Sequence, residues 1–282
     1  MSGFTDKEHL ATYAYNDAER LAAREAIYQF LQVDSVDLGT FPFRADSIVG
    51  VVSTFLDPTL RGAALDIGCG TGKYLPLLAT QFEQVVAADL SAGMLSSVPD
   101  GPWEKTVADV EAMAFADDSF SVVLANHMLY HCPNIGSAVA ELHRVLRSAV
   151  DGGVLIATTN GDGNMVESYE LLAKAASAVL GQNVDPLVPS DSRFTLETGS
   201  VALKKSFESV TIHRTNGALI INNEAGLNIL RAYFCSIDDE WAARYGIDWF
   251  VLEAALNVVF EQQMKTEGEI RISTSSGVLV AR

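Results

Sequence analysis

The chain has 282 residues, with 19 Lys plus Arg against 36 Asp plus Glu, a formal net charge of −17. That balance disfavours nucleic-acid binding, because such binders draw their non-specific affinity from Lys and Arg clusters that release counterions, and no run here gathers cations in that way. With 49% hydrophobic and 20% charged residues and only 8 Pro, the composition is globular, and the length spans one elaborated α/β unit or two domains.

The first twenty residues lack a basic start followed by an apolar stretch, so they do not read as a secretory signal. Residues 7–32 are rich in Ala, Leu, Glu and Arg at helical spacing and predict one or two amphipathic helices, with Asp17 available to cap the second. Residues 33–43 read as a loop with Gly and Pro punctuation, and 44–56 resume a helical period. From residue 63 the pattern changes. AALDIG enters glycines as a strand, KYLPLLATQF follows as a helix, and QVVAADL is a second strand, an order that predicts a parallel pair. The alternation continues through helix AGMLSSV, strand EKTVADV, strand SFSVVLANHML, helix IGSAVAELHRVLRSA and strand GGVLIATTNG. Strands apolar on both faces suit a sheet covered by helices on each side. Beyond residue 160 come helical MVESYELLAKAASAVLG, a polar turn-rich stretch at 182–199, strand-like SVTIHRTNGALII, a helical block near 223–265 and strand-like EIRISTSSGVLVAR.

No window reaches the roughly 18 apolar residues of a membrane span. Cys69, Cys132 and Cys235 are odd in number and without CxxC spacing, which argues against a disulfide framework and a zinc site. The expectation is a cytoplasmic protein with no metal, no membrane and no nucleic-acid partner, for which a homodimer stays open.

The strongest motif is Leu65-Asp66-Ile67-Gly68-Cys69-Gly70-Thr71-Gly72 at the first strand-helix junction, where glycines let the backbone turn sharply and approach a ligand. A phosphate-binding loop fails twice, since Ile67 stands where its first glycine belongs and Tyr74 follows Lys73. A dinucleotide loop fits less well, because Gly68, Gly70 and Gly72 are spaced G-x-G-x-G. Over roughly residues 60–160 the sequence resembles the class I S-adenosylmethionine (SAM) dependent methyltransferases, methyltransferase type 11-like, in particular their small-molecule group.

The resemblance implies a Rossmann-like α/β fold with a mostly parallel seven-stranded sheet and a helical cap. The core would cover about 46–160 plus strands near 206–221 and 268–282, and the cap about 1–45, 161–205 and 223–265, all in a single domain, 1–282. It implies that SAM lies with its methionine part on Gly68, Cys69, Gly70 and Gly72 near Asp66. Asp89 would meet the ribose hydroxyls, Asp109 and Val110 the adenine, and Asn126 the methionine end. Leu90, Met94 and Tyr15 join this cofactor set, Tyr15 with Tyr13 as lid residues. Cys69 reads as a packing residue. His127 and His131, four apart, would share a face if their segment turns helical, and they are the candidate acid-base or orienting residues. Met165, Tyr169, Tyr233, Phe234 and Trp241 are candidates for an apolar acceptor wall, although such a stripe more often packs a core. The expected function is methyl transfer to O, N or C of a small acceptor in bacterial specialised metabolism. The alternatives are a non-methylating SAM-binding enzyme, such as a cyclase, and a non-catalytic binding module.

Overall fold

The computed structural model describes residues 5–15, 18–36, 48–187 and 194–282. The N-terminal helical block is α1 (Lys7–His9), a wide π turn at Leu10–Ala14, α2 (Ala18–Ala26) and a tight turn at Ile27–Phe30, and it runs straight into β1 (Leu31–Val36). Asp17 lies outside the described residues. After α3 (Ile48–Phe55) the predicted alternation follows: β2 (Ala63–Ile67), α4 (Leu75–Ala79), β3 (Gln84–Asp89), α5 (Ala92–Ser97), β4 (Glu104–Val107), β5 (Val122–Asn126), α6 (Ile135–Val145) and β6 (Val154–Asn160). The remainder is α7 (Val166–Leu180), α8 (Leu196–Leu203), β7 (Val210–Ile221), α9 (Glu224–Cys235), α10 (Asp238–Tyr245), α11 (Trp249–Glu267) and β8 (Ile270–Ala281).

The described strands form one mixed sheet in the order β1-β7-β8-β6-β5-β2-β3-β4, with β2 to β6 parallel. Side chains on adjacent strand positions go to opposite faces, so a strand covered on both sides must be apolar throughout. Ala64, Ala87, Val122 and Val154 pack with Val52 and with Leu75 and Leu78 of α4, whereas Leu65, Ala88, Val123 and Leu155 pack with Ala138 and Leu142 of α6. Local polar residues fix the helix starts: the Ser91 hydroxyl accepts from the Met94 N–H at α5, and the Asn134 side chain from the Ser137 N–H at α6.

The sheet has eight described strands instead of the seven expected. The late strands pair as antiparallel additions, β8 on β6 and β7 on β8. β1 then pairs antiparallel with β7, Leu31 opposite Leu219 and Val36 opposite Thr215, which corrects the reading of 33–43 as a loop; residues 37–43 lie outside the described ones. The cause is length. β7 and β8 have 12 residues each, about 40 Å when extended. β7 is thus long enough to run on past the parallel strands, and β1 covers the edge it presents there.

The same overhang carries the cap. Leu219, Ile221, Ile270 and Ile272 at its tip pack with Ile27, Phe234 and Phe260 in a third core built from α7, α9, α10 and α11. Full burial of each of those phenylalanines stabilises the cap by about 2–3 kcal/mol. Segment 161–205, expected as cap throughout, divides: α7 joins the cap, while Phe194, Leu196 and Leu203 pack in the sheet core with Leu279. The α8 helix itself starts at a reciprocal cap between Thr195 and Thr198, a signal hidden in a stretch that reads as turns. Among the described residues no helix is long and apolar enough to cross a membrane.

Candidate functional site

A cavity of about 750 Å³ opens at the carboxyl edge of the parallel strands, between the sheet and the cap. Its floor is the loop after β2. Gly68, Gly70 and Gly72 all have left-handed backbone, φ +69°, +54° and +79°. A Cβ at Gly68 would lie 2.7 Å from Met128, so that glycine also permits close packing. Gly68, Cys69 and Gly70 line the cavity. Gly72 turns away onto Leu75 and Val98. Burial pushes the Cys69 thiol well up, which keeps it protonated and agrees with a packing role.

The ends of β3 and β4 supply the carboxylates. Asp89 Oδ2 accepts from the Gly70 N–H and Oδ1 from the Ser91 N–H, both at 2.9 Å, and Leu90 and Met94 sit beside it in the cavity wall. Burial raises the Asp89 pKa while those backbone donors oppose the rise. Asp109 and Val110 also line the cavity, with the Asp109 carboxylate tied by the Lys7 ammonium at 2.5 Å and by the Glu111 N–H at 3.0 Å.

Asp66 departs from its expected place. It is 1% exposed, is absent from the cavity wall, and has no hydrogen-bond partner on either carboxyl oxygen. Strand alternation is the reason: Asp66 sits within β2 opposite Ala87 and Leu124, so its side chain enters the buried sheet face instead of the edge. Burial, reinforced by the charge of Asp89, lifts its pKa to about 8, and the carboxyl is neutral at pH 7.

At the end of β5, Asn126 is buried with its amide nitrogen and oxygen both unpartnered. His127 then adopts φ +51°, a left-handed conformation that is strained for a side chain of this kind, while its N–H donates to the Thr158 carbonyl. That kink, followed by a single tight turn at Leu129–His131, replaces the helical face imagined for His127 and His131. Both still line the cavity. Burial, aided by Lys73, lowers the His127 pKa to about 4, so the ring is neutral at pH 7. His131 Nε2 lies 2.9 Å from the Tyr15 hydroxyl, whose pKa burial raises, so the phenol stays protonated, and the imidazole tautomer sets which of the two donates.

The N-terminal segment forms the roof. The Tyr15 carbonyl accepts from the Ser91 hydroxyl at 2.6 Å, which brings the Tyr15 ring over the cavity. Tyr13 does not reach it; its hydroxyl bonds Arg20 and Asp238 on the outer side, and this corrects its expected lid role. Of the acceptor-wall candidates, Met165, Tyr169, Tyr233 and Trp241 line the cavity, while Phe234 is buried in the cap against Trp241 and Phe260. Sequence reasoning missed Lys7 and Arg24 as lining residues. For Arg24 a signal existed, since Leu21, Arg24 and Tyr28 share one helical face and all three line the cavity.

Residues 65–157 match the model of the methyltransferase domain. That stretch, about a third of the chain, is similar to the methyltransferase-domain family. A malonyl-[acyl-carrier protein] O-methyltransferase of Yersinia pestis is 31% identical over 131 residues, covering 44% of this chain and 45% of that protein. The chain spans less than half the length of the curated relatives it matches first. Among solved structures, the [4+2]-cyclase SpnF superposes with a TM-score of 0.54 at 17% identity, covering 98% of this chain and 96% of that one. The phosphoethanolamine N-methyltransferase 2 of Haemonchus contortus, solved with S-adenosylhomocysteine, gives 0.54 at 18%, covering 100% of this chain and 60% of that one. At such identities the likeness establishes the fold, a class I methyltransferase fold.

Proposed function

We propose that the protein is a SAM-dependent methyltransferase acting on O, N or C of a small-molecule acceptor. The observation that carries the reading is the convergence of Asp89, Asp109 and the unpartnered Asn126 amide, from three strand ends, on one cavity floored by the glycine loop. These groups suit SAM. A carboxylate has about four acceptor sites, so Asp89 keeps capacity for the ribose hydroxyls after the Gly70 and Ser91 N–H groups are served. Asp109 and Val110 would take the adenine, Leu90 and Met94 its apolar flanks, and Asn126 the methionine end. Bound SAM supplies an electrophilic methyl group on its sulfonium.

The protein's own task is then to position the acceptor, exclude water and accept a proton where the acceptor carries one. Tyr15 and His131 suit the proton: the Tyr15 hydroxyl takes it from the acceptor as its own passes to His131 Nε2. His127, neutral and weakly basic, orients the acceptor instead. The matched family region stops at residue 157, before the cap whose Met165, Tyr169, Tyr233 and Trp241 would read the acceptor. The carrier-protein substrate named for the relatives is accordingly not carried over, although their O-methyltransferase activity favours oxygen. In this reading core and cap act as one domain, and the enzyme serves cytoplasmic specialised metabolism.

Purified protein should release S-adenosylhomocysteine when given its acceptor, with a product heavier by one methylene unit; an unchanged product mass favours the non-methylating alternative. Asp89→Ala should abolish S-adenosylhomocysteine binding in calorimetry, and an unchanged affinity refutes the cofactor placement.

A further inference from the structure

Four cations line the cavity: Lys7, Arg24, Lys73 and Arg244. Three are already matched. Lys7 holds Asp109 and Glu111, Lys73 lies 3.5 Å from Glu25, and Arg244 bonds Glu240 at 2.8 Å. Arg24 alone has no carboxylate partner among the described residues. Its Nη2 donates to the Ala14 carbonyl at 2.9 Å and its Nε to the Arg20 carbonyl at 3.3 Å, and neither bond neutralises charge. The Nη1 hydrogens have no acceptor among the described residues.

The position of Arg24 is set by three contacts. One turn earlier on the same face, Leu21 Cδ2 would lie 3.3 Å from a Cβ at Gly70, so α2 crosses directly above the glycine loop. The guanidinium carbon stands 4.5 Å from the centroid of the Tyr15 ring, a stacked arrangement that fixes its plane. The far end of that ring meets His131 beyond the β5 end. Arg24 therefore belongs to the loop and β5 side of the cavity, where the unpartnered Asn126 amide also lies, and not to the Lys7 and Asp109 side.

We infer that Arg24 is the anchor for the α-carboxylate of the SAM methionine moiety. This assignment rests on the cofactor reading above. An anion brought into a chain of net charge −17 needs a local countercharge, and a guanidinium with free N–H groups gives paired, charge-assisted bonds to a carboxylate. Tyr15 stacking and the two backbone carbonyls pre-organise the side chain, so less rotamer freedom is lost on binding. The Asn126 amide, on the same side, remains for the ammonium or the carboxylate of the same moiety.

The test uses calorimetric titration of the full chain with S-adenosylhomocysteine and with its decarboxylated analogue, S-adenosyl-3-thiopropylamine. Hydrogen bonds to a charged group are worth about 1.5–3 kcal/mol, so the wild type should prefer S-adenosylhomocysteine by about 10- to 100-fold. Arg24→Gln should remove that preference by weakening S-adenosylhomocysteine alone, with the analogue held within about threefold, and Arg24→Lys should restore part of it. Equal weakening of both ligands shows a structural role for Arg24 and overturns the assignment, as does an Arg24→Gln variant that still prefers the carboxylate. Failure of the wild type to bind either ligand refutes the cofactor reading itself, which separates the two failures.

Discussion

The buried Asp66 gives the most direct test of the electrostatics under the glycine loop. A carboxyl whose pKa stands near 4 in the unfolded chain and at about 8 in the folded one binds a proton only in the folded state between those values. Folding stability then falls as pH rises through that window, by about 1.4 kcal/mol per unit for one group. Below the unfolded pKa the contribution is fully present; above about 8 its loss is complete. Between about pH 5 and 7.5 the loss amounts to roughly 3 kcal/mol, fixed in order of magnitude by the burial of a group with no hydrogen-bond partner. Asp66→Asn keeps the shape and removes the titration. The variant carries a pH-independent offset of about 1–3 kcal/mol from its own buried amide, so the informative quantity is the slope of the difference and not its sign at one pH. At roughly 2 °C per kcal/mol for a chain of this size, the melting temperature of Asp66→Asn minus that of the wild type should grow by about 6 °C over that interval. Thermal melts of the cofactor-free protein followed by circular dichroism supply the measurement. Titrations common to both proteins, such as that of His127, cancel in the difference. A difference that stays flat with pH means that Asp66 is already ionised in the folded chain, and the reasoning from burial is then wrong.

Two further outcomes follow from the geometry. Tyr15→Phe removes the hydroxyl 2.9 Å from His131 and should lower kcat by about 100-fold for an acceptor that loses a proton, while leaving S-adenosylhomocysteine affinity within about twofold; an unaltered kcat excludes the pair from proton transfer. Gly277→Ala would place a Cβ 2.2 Å from the His213 carbonyl across the β7–β8 pair, and should destabilise the protein by about 2–3 kcal/mol, read as a lower melting temperature; a wild-type melt would mean that the two strands separate there at little cost.

The parallel half of the fold was legible because its determinants are local. Val122 to Ala125 and Val154 to Ala157 are buried on both faces, so their burial appears in the sequence as unbroken apolar runs. Asp89 was legible for the same kind of reason, since a carboxylate that closes an apolar strand marks the sheet edge, whereas Asp109 follows the polar β4 and was placed by the family resemblance alone. Asp66 lies inside its strand, and alternation sends its side chain into the sheet, so proximity to the loop in sequence was a poor guide to the cavity wall.

What stayed hidden depends on pairings between distant segments. Nothing within Leu31–Val36 says strand; its partner is the free edge of β7, and the need for cover exists only because β7 outgrows its neighbours. Tyr15 and His131 are 116 residues apart, and Lys7 and Asp109 are 102 apart, so these contacts are products of how α1 and α2 lie across the sheet edge. Arg24 shows the intermediate case. Its spacing with Leu21 and Tyr28 is visible, but on an amphipathic helix one cation in an apolar stripe reads as a side chain reaching for water. Only the roof position of α2, with the carboxylates of the other three lining cations already in place, turns that residue into an unmatched charge facing a cavity. The strand ends thus carry the Asp89, Asp109 and Asn126 side of the cavity, and the segments that close over them carry Tyr15, Arg24 and the cap residues.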